Sequence, residues 1–222
     1  MTIVKAMTNA KGYGRALQAP IPKDDYQRLR RGFYARSTHE VAKELLGKLL
    51  VRQWRGRQLA ARICEVESYV GENDRACHAA PRKRTAFSRG RRGHTPRTEV
   101  MYGQAGHAYV YLVYGMHHCL NIVTELTGFP AAVLIRGAVL VRYPGLRVQN
   151  TETRLLQGPG KLCRALHITR AQNTEDLVTS RRLFVADDGV QVAPADIMSS
   201  PRIGVDYAGD DAKLPWRYVA SW

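Results

Sequence analysis

The alternation of apolar and polar positions divides this chain into short segments separated by turns. Ser37-Thr38-His39-Glu40 has the spacing of a capping box ahead of Val41, Ala42, Leu45 and Leu46, which recur at helical intervals. The helix so predicted stops at Gly47, since glycine takes the left-handed terminating conformation without steric cost. Residues 48–54 are apolar enough for a strand. Arg55-Gly56-Arg57 turns the chain, and residues 59–67 return as the second arm of a hairpin. Period-two alternation places Ala61, Ile63, Glu65 and Glu67 on one face of that arm. Two acids then share one side of a strand end, a pattern that a solvated strand edge also produces. Residues 107–114 alternate rings and aliphatics and read as a strand. Residues 131–140 read as a buried strand interrupted by one charge, Arg136. A lone arginine in an apolar run needs a partner; a carboxylate such as Glu67 would serve, and so would a phosphate.

Gly158-Pro159-Gly160-Lys161-Leu162 opens a further helix, with proline in its first turn. Its free N–H groups and Lys161 suit a phosphate. It is not a Walker loop, because Leu162 stands where that motif needs Ser or Thr. Residues 182–187, 202–207 and 216–219 are further short strands. Ordered structure is expected from about Phe33. Residues 1–30, polar, basic and broken by Gly and Pro, read as a partly ordered extension, and residues 31–222 as one domain. With no internal repeat and no linker, the simplest account is a single α+β domain: a curved, mostly antiparallel sheet with peripheral helices.

Charge changes the picture more than composition does. The 34 Lys and Arg exceed the 19 Asp and Glu by 15, in a chain of 222 residues. Such a surplus attracts polyanions, and nucleic acid is the expected partner because each neutralised phosphate releases counterions. Residues 82–97 concentrate it in Arg82, Lys83, Arg84, Arg89, Arg91, Arg92 and Arg97. Such a run is either a solvated segment or a phosphate-contacting loop. No segment approaches the roughly 18 apolar residues of a membrane span. Residues 1–23 hold no continuous apolar stretch, so no signal peptide is read, and an intracellular protein with reduced thiols is expected. Cys64, Cys77, Cys119 and Cys163 form no C-x-x-C pair. A zinc site built from Cys77-His78 and His117-His118-Cys119 lacks the usual short ligand spacing.

The candidate chemistry lies in Glu65-Val66-Glu67-Ser68-Tyr69-Val70-Gly71, in His78, and in the run from Tyr109 through Tyr111 and Tyr114-Gly115 to Asn121. An enzyme acting on a base must take it out of the stack, hold it between flat side chains and bring a nucleophile to the sugar. Tyr69, His78 and Tyr111 are flat, Glu67 can activate water, and Tyr114 beside Gly115 can protrude from a turn. The same tyrosines also read as ordinary core and strand-surface aromatics.

These segments, with Thr95-Pro96-Arg97, Arg136, Gly158-Pro159-Gly160-Lys161 and Arg202-Ile203-Gly204, occur in an order that resembles the alkyladenine (3-methyladenine) DNA glycosylases. The resemblance runs from about residue 33 to the C-terminus. It implies Glu67 as general base, with Arg136 and the Ile203 carbonyl near the attacking water. Tyr69 would stack on one face of a flipped purine, with His78 and Tyr111 on the other. Asn121 would disfavour the 2-amino group of guanine, and Tyr114 would fill the gap in the duplex. Arg91, Arg92, Arg97 and Lys161 would contact phosphate. It also implies monofunctional hydrolysis of alkylated purines in double-stranded DNA by a monomer, without metal or cofactor. The chain departs from the family in its basic insertion at 81–92, in Thr98 where Asn is usual, and in ending at Trp222. A non-catalytic protein that binds distorted DNA is the competing expectation.

Overall fold

The computed structural model describes residues 26–81, 93–143 and 155–221. Among the described residues ten strands make one sheet, and every pairing between them is antiparallel. They are β1 (Gln27–Arg28), β2 (Leu49–Trp54), β3 (Arg57–Val70), β4 (Ala108–Val113) and β5 (His117–Val123), then β6 (Ala131–Arg142), β7 (Leu155–Gln157), β8 (Leu183–Asp187), β9 (Ile197–Ser200) and β10 (Arg217–Ala220). The main order is β1-β8-β2-β3-β6-β5-β4, with β10 beside β3, β9 beside β10, and β7 beside β6. Among the described residues three short α-helices accompany the sheet: α1 (Arg31–Tyr34), α2 (Thr38–Leu45) and α3 (Pro159–Ala165). Among the described residues regular structure begins at Gln27, earlier than the expected Phe33, because the short β1 pairs with β8. No helix among the described residues is long and apolar enough to cross a membrane.

The first predicted helix is α2, but its cap differs from the expected box. The Ser37 side chain makes no capping bond. The Thr38 N–H instead donates to Glu125 Oε1 at 2.7 Å, and the Thr38 hydroxyl donates to the same oxygen at 2.8 Å. A distant carboxylate is the stronger acceptor, and its bonds are charge-assisted. Gly47 has φ of 89°, as a terminator should. The Arg55-Gly56 turn that joins β2 to β3 also has two positive φ values, the geometry that suits a tight hairpin.

β3 departs from simple alternation, and the departure creates the site. Ala61 and Ile63 face the main core; beyond them the core position falls on Val66. The register against β6 shifts between Ile63 and Glu65 and again between Glu65 and Val66. β6 changes phase at the same level: Val133 and Ile135 face the core before the shift, Ala138 and Leu140 after it. An extra residue in a strand reverses the faces that follow. Glu65 and Glu67 are therefore not on the face of Ala61 and Ile63, as unbroken alternation predicts. They point the opposite way, out of the apolar core. Gly137 lies opposite the shift; a Cβ there would stand 3.0 Å from Glu65 Cβ and 3.4 Å from Cys64 Sγ. The missing side chain leaves room for both.

Residues 202–207 do not form a strand. Arg202 is drawn inward, Gly204 has φ of 74°, and a 3₁₀ segment begins at Asp206. The main core lies between the sheet and the apolar faces of α2 and α3, with Val41, Leu45, Leu162 and Leu166 among its members.

Candidate active site

The two acids and the arginine that interrupted the apolar patterns meet. Arg136 Nε lies 3.1 Å from Glu65 Oε1 and 3.4 Å from Glu67 Oε1. Arg217, on β10, donates to the same Glu65 oxygen at 2.7 Å. Two carboxylates thus face two guanidiniums. Arg136 has a carboxylate partner, which answers one of the two readings left open by the sequence. Glu65 is held between two arginines, while Glu67 is differently placed: it is 0% exposed. Glu67 accepts from the Ile203 N–H at 2.8 Å and from the Tyr69 hydroxyl at 2.8 Å. Burial raises its pKa above the ordinary carboxylate value. Arg136, then the Ile203 amide and the Tyr69 hydroxyl, pull it back, and the neighbouring Glu65 adds to the rise. Burial and the adjacent Glu67 also raise the pKa of the Tyr69 hydroxyl, so that it serves as a donor.

A buried ion pair holds this arrangement from behind. Arg202 binds Asp74 through its two terminal guanidinium nitrogens, at 2.6 and 2.8 Å, and neither side chain is exposed. Arg202 also donates to the carbonyls of Ser68 and Asp211. Its guanidinium lies 4.8 Å from the Tyr69 ring centre and 4.9 Å from that of Trp216. Asp74 accepts from the N–H groups of Val70 and Ala76. The pair therefore ties the 202–204 loop, and with it the Ile203 amide, to the end of β3. Nothing in the sequence pattern marks it: Glu72-Asn73-Asp74-Arg75 reads as a surface turn. Arg217 was equally missed, although it too is a charge entering an apolar strand.

A cavity of about 490 Å³, in the size range of small-molecule sites, opens beside Tyr69, Arg136 and Ile203, the partners of Glu67; neither acid is among its described lining residues. Tyr69, His78, Tyr111, Asn121 and Arg136 all line it, as do Arg97, Tyr109 and Ile203. His78 Nδ1 is 2.8 Å from the Tyr109 hydroxyl, and its ring meets that of Tyr111 at 4.6 Å and 73°. Asn121 is buried, and its Nδ2 donates to the Tyr109 carbonyl at 3.1 Å. Pairing of β4 with β5 sets Tyr109 opposite Asn121, so the strand register delivers both to one wall. Arg97 lies over the Tyr111 ring at 4.8 Å. The buried Thr98 hydroxyl donates to the Gly93 carbonyl at 2.7 Å, so a loop bond is made here with Thr in place of Asn.

At the rim, Tyr114 and Gly115 have φ of 52° and 70°, and the Met116 N–H donates to the Val113 carbonyl. This tight turn joins β4 to β5 and leaves Tyr114 89% exposed. A positive φ is unusual for an aromatic residue. Lys161 is exposed near the start of α3, whose Pro159 also lines the cavity. Arg91 and Arg92, with the rest of the 82–92 run, lie outside the described residues. Among the described residues no group of three His, Cys, Asp or Glu side chains converges, and the four cysteines are buried free thiols.

Known proteins resemble this chain over most of its length. The family model described as methylpurine-DNA glycosylase matches residues 32–221. A protein of Methanocella arvoryzae named "Putative 3-methyladenine DNA glycosylase" is 50% identical over 195 residues, which is 86% of this chain and 90% of that one. Proteins of the same name from Myxococcus xanthus and Desulfitobacterium hafniense are 48% and 43% identical. The first alignment covers 83% of this chain and 86% of the relative; the second covers 86% and 94%.

Proposed function

Because the chain belongs to the methylpurine-DNA glycosylase family, we propose that it hydrolyses the N-glycosidic bond of alkylated purines, 3-methyladenine first, in double-stranded DNA, with Glu67 as general base. The observation that carries this reading is Glu67 held by Arg136 and Tyr69, both of which line an aromatic cavity. A carboxylate offers about four acceptor positions. Ile203 and Tyr69 donate to two at Glu67, Arg136 lies beside it as an ion pair at 3.4 Å, and a remaining position takes the attacking water.

In the step itself, Glu67 takes a proton as the water oxygen bonds to the sugar C1′. The bond from C1′ to the purine nitrogen breaks, and the purine leaves with the electron pair. A purine alkylated at N3 or N7 arrives as a cation and leaves neutral, so it needs little further acid. The raised pKa of Glu67 makes its carboxylate a stronger base than an ordinary one. No lysine among the described residues lines the cavity, so water rather than an amine attacks, and an abasic site remains.

The flipped base sits between Tyr69 on one side and His78 with Tyr111 on the other. Asn121, fixed by its bond to the Tyr109 carbonyl, stands where the 2-amino group of guanine would fall. Tyr114 occupies the place that the base vacates. A DNA substrate puts this work inside the cell.

Single-turnover excision on oligonucleotides carrying one alkylated purine, with the free base identified, tests the reading. Glu67→Gln keeps the shape and removes the base. Excision falls by about 10²–10⁴-fold while lesion binding survives. Glu65→Gln retains an acceptor for both arginines and keeps measurable excision. A dead Glu65 variant beside an active Glu67 variant would reassign the carboxylate. Near-wild-type excision by both would end the hydrolytic mechanism. Binding by the wild type without release of base would leave a damage-binding protein instead.

A further inference from the structure

A second cleft, of about 660 Å³, lies beside the base cavity and is not used by the chemistry above. One ridge separates the two. Val113 and Tyr114 of the hairpin line the base cavity, whereas Met116 and His117 line the cleft; Pro159 faces the first and Gly160 the second.

The ionisable lining of this cleft is basic: Arg52, Arg164, His117, His118 and His167, with no aspartate or glutamate among the described residues. Trp54 forms part of its wall and stacks on His167 at 3.6 Å and 5°. Arg52 is the telling residue. It is buried, it donates to the carbonyls of Gln53 and Arg182, and its Nε has no hydrogen-bond partner among the described residues. Burial disfavours this cation, and among the described residues only carbonyls accept hydrogen bonds from it, with Glu175 acting through charge alone; an anion in the cleft would compensate it further. The wall is also closely fitted. A Cβ at Gly160 would stand 3.1 Å from His117 Cγ, so the glycine lets that ring lie against α3.

We infer that this cleft seats a backbone phosphate of the same duplex, on the segment that passes beyond Tyr114 when a base occupies the neighbouring cavity. The inference rests on the DNA-binding reading given above. Its recogniser is an anion site of arginine and imidazole donors, so the contact is independent of base sequence.

The test is the double variant Arg164→Gln/His117→Gln. Both side chains are exposed, so the fold is kept. Binding to an undamaged duplex extending past both sides of the lesion position is measured as log K against log salt. The slope becomes shallower by about 0.9, the value for one lost phosphate contact. Arg30→Gln, an exposed arginine that lines neither cavity, is the comparison and changes the slope less. An unchanged slope in the double variant, or an equal change in Arg30→Gln, overturns the inference. This readout needs no catalysis. A shallower slope together with full excision by Glu67→Gln supports the phosphate seat while the base-cavity mechanism fails. An unchanged slope together with a dead Glu67 variant overturns the phosphate seat and leaves the base-cavity mechanism standing.

Discussion

The backbone N–H of Ile203 donates to Glu67 Oε1 at 2.8 Å, joining residues 136 positions apart. This bond brings the C-terminal loop to the end of β3 and fixes the orientation of the proposed base. It is also one of the contacts that limit how far burial raises the Glu67 pKa.

Glu67 costs stability at neutral pH. Its folded pKa is raised above the ordinary value of 4.5, with burial the largest cause. The folded state therefore favours the protonated acid. The stability linked to that proton is full below the unfolded pKa and is lost as pH rises through the folded one. Glu67→Gln removes the dependence. Its Tm relative to wild type rises from about pH 4 towards neutral, at about 2–4 °C for each kcal/mol in a chain of this size. A difference that shrinks with rising pH would contradict the assignment.

Tyr69→Phe separates stacking from proton control. The ring stays, but the hydroxyl that donates to Glu67 Oε2 at 2.8 Å is lost. That bond lowers the Glu67 pKa, so its removal raises it further. Because excision needs the carboxylate, the acid limb of the pH–rate profile moves to higher pH. An unmoved or downward-moved limb, measured in single turnover, would show that this hydroxyl does not set the base.

Asp74→Ala leaves Arg202 buried without its partner. Breaking a buried pair of this kind costs about 3–5 kcal/mol, read as a lower urea midpoint. Excision falls as well, since the loop carrying Ile203 loses its anchor. Asp74→Asn keeps an acceptor for Arg202 and recovers part of both. A cost below about 1 kcal/mol for the alanine variant would mean that the loop is held elsewhere.

Tyr114→Ala weakens base extrusion more than bond cleavage. The side chain is exposed on a strained turn beside the cavity, and holding a base out of the stack costs on the order of a few kcal/mol. Activity on damaged duplex drops, whereas excision from a single strand changes less. Equal losses on the two substrates would remove the wedge role.

Local pattern carried much of this protein. The periodicity around Val41–Leu45 marks α2, the Arg55-Gly56 turn marks its hairpin, and the single charge in the 131–140 run marks Arg136. Each signal is local, because a helix period or a tight turn depends on residues a few positions apart. The ordered motifs likewise assembled Tyr69, His78, Tyr111 and Asn121, which the structure brings to one cavity. The capping box at Ser37 and the strand at 202–207 were also local readings, and both gave way to distant partners, Glu125 and Asp74.

What only tertiary structure decided is which way the acids point. Alternation along β3 alone carries Glu67 into the apolar core beside Ala61 and Ile63. The opposed register shifts in β3 and β6 turn it to the other face instead. A bulge is a property of two paired strands and of the space between them. Gly137, 72 positions from Glu65, supplies that space, and no pattern within β3 records it. The Asp74–Arg202 clamp and the Ile203 amide belong to the same class: contacts whose energy comes from burying charge and dipoles that the chain brings together only when folded.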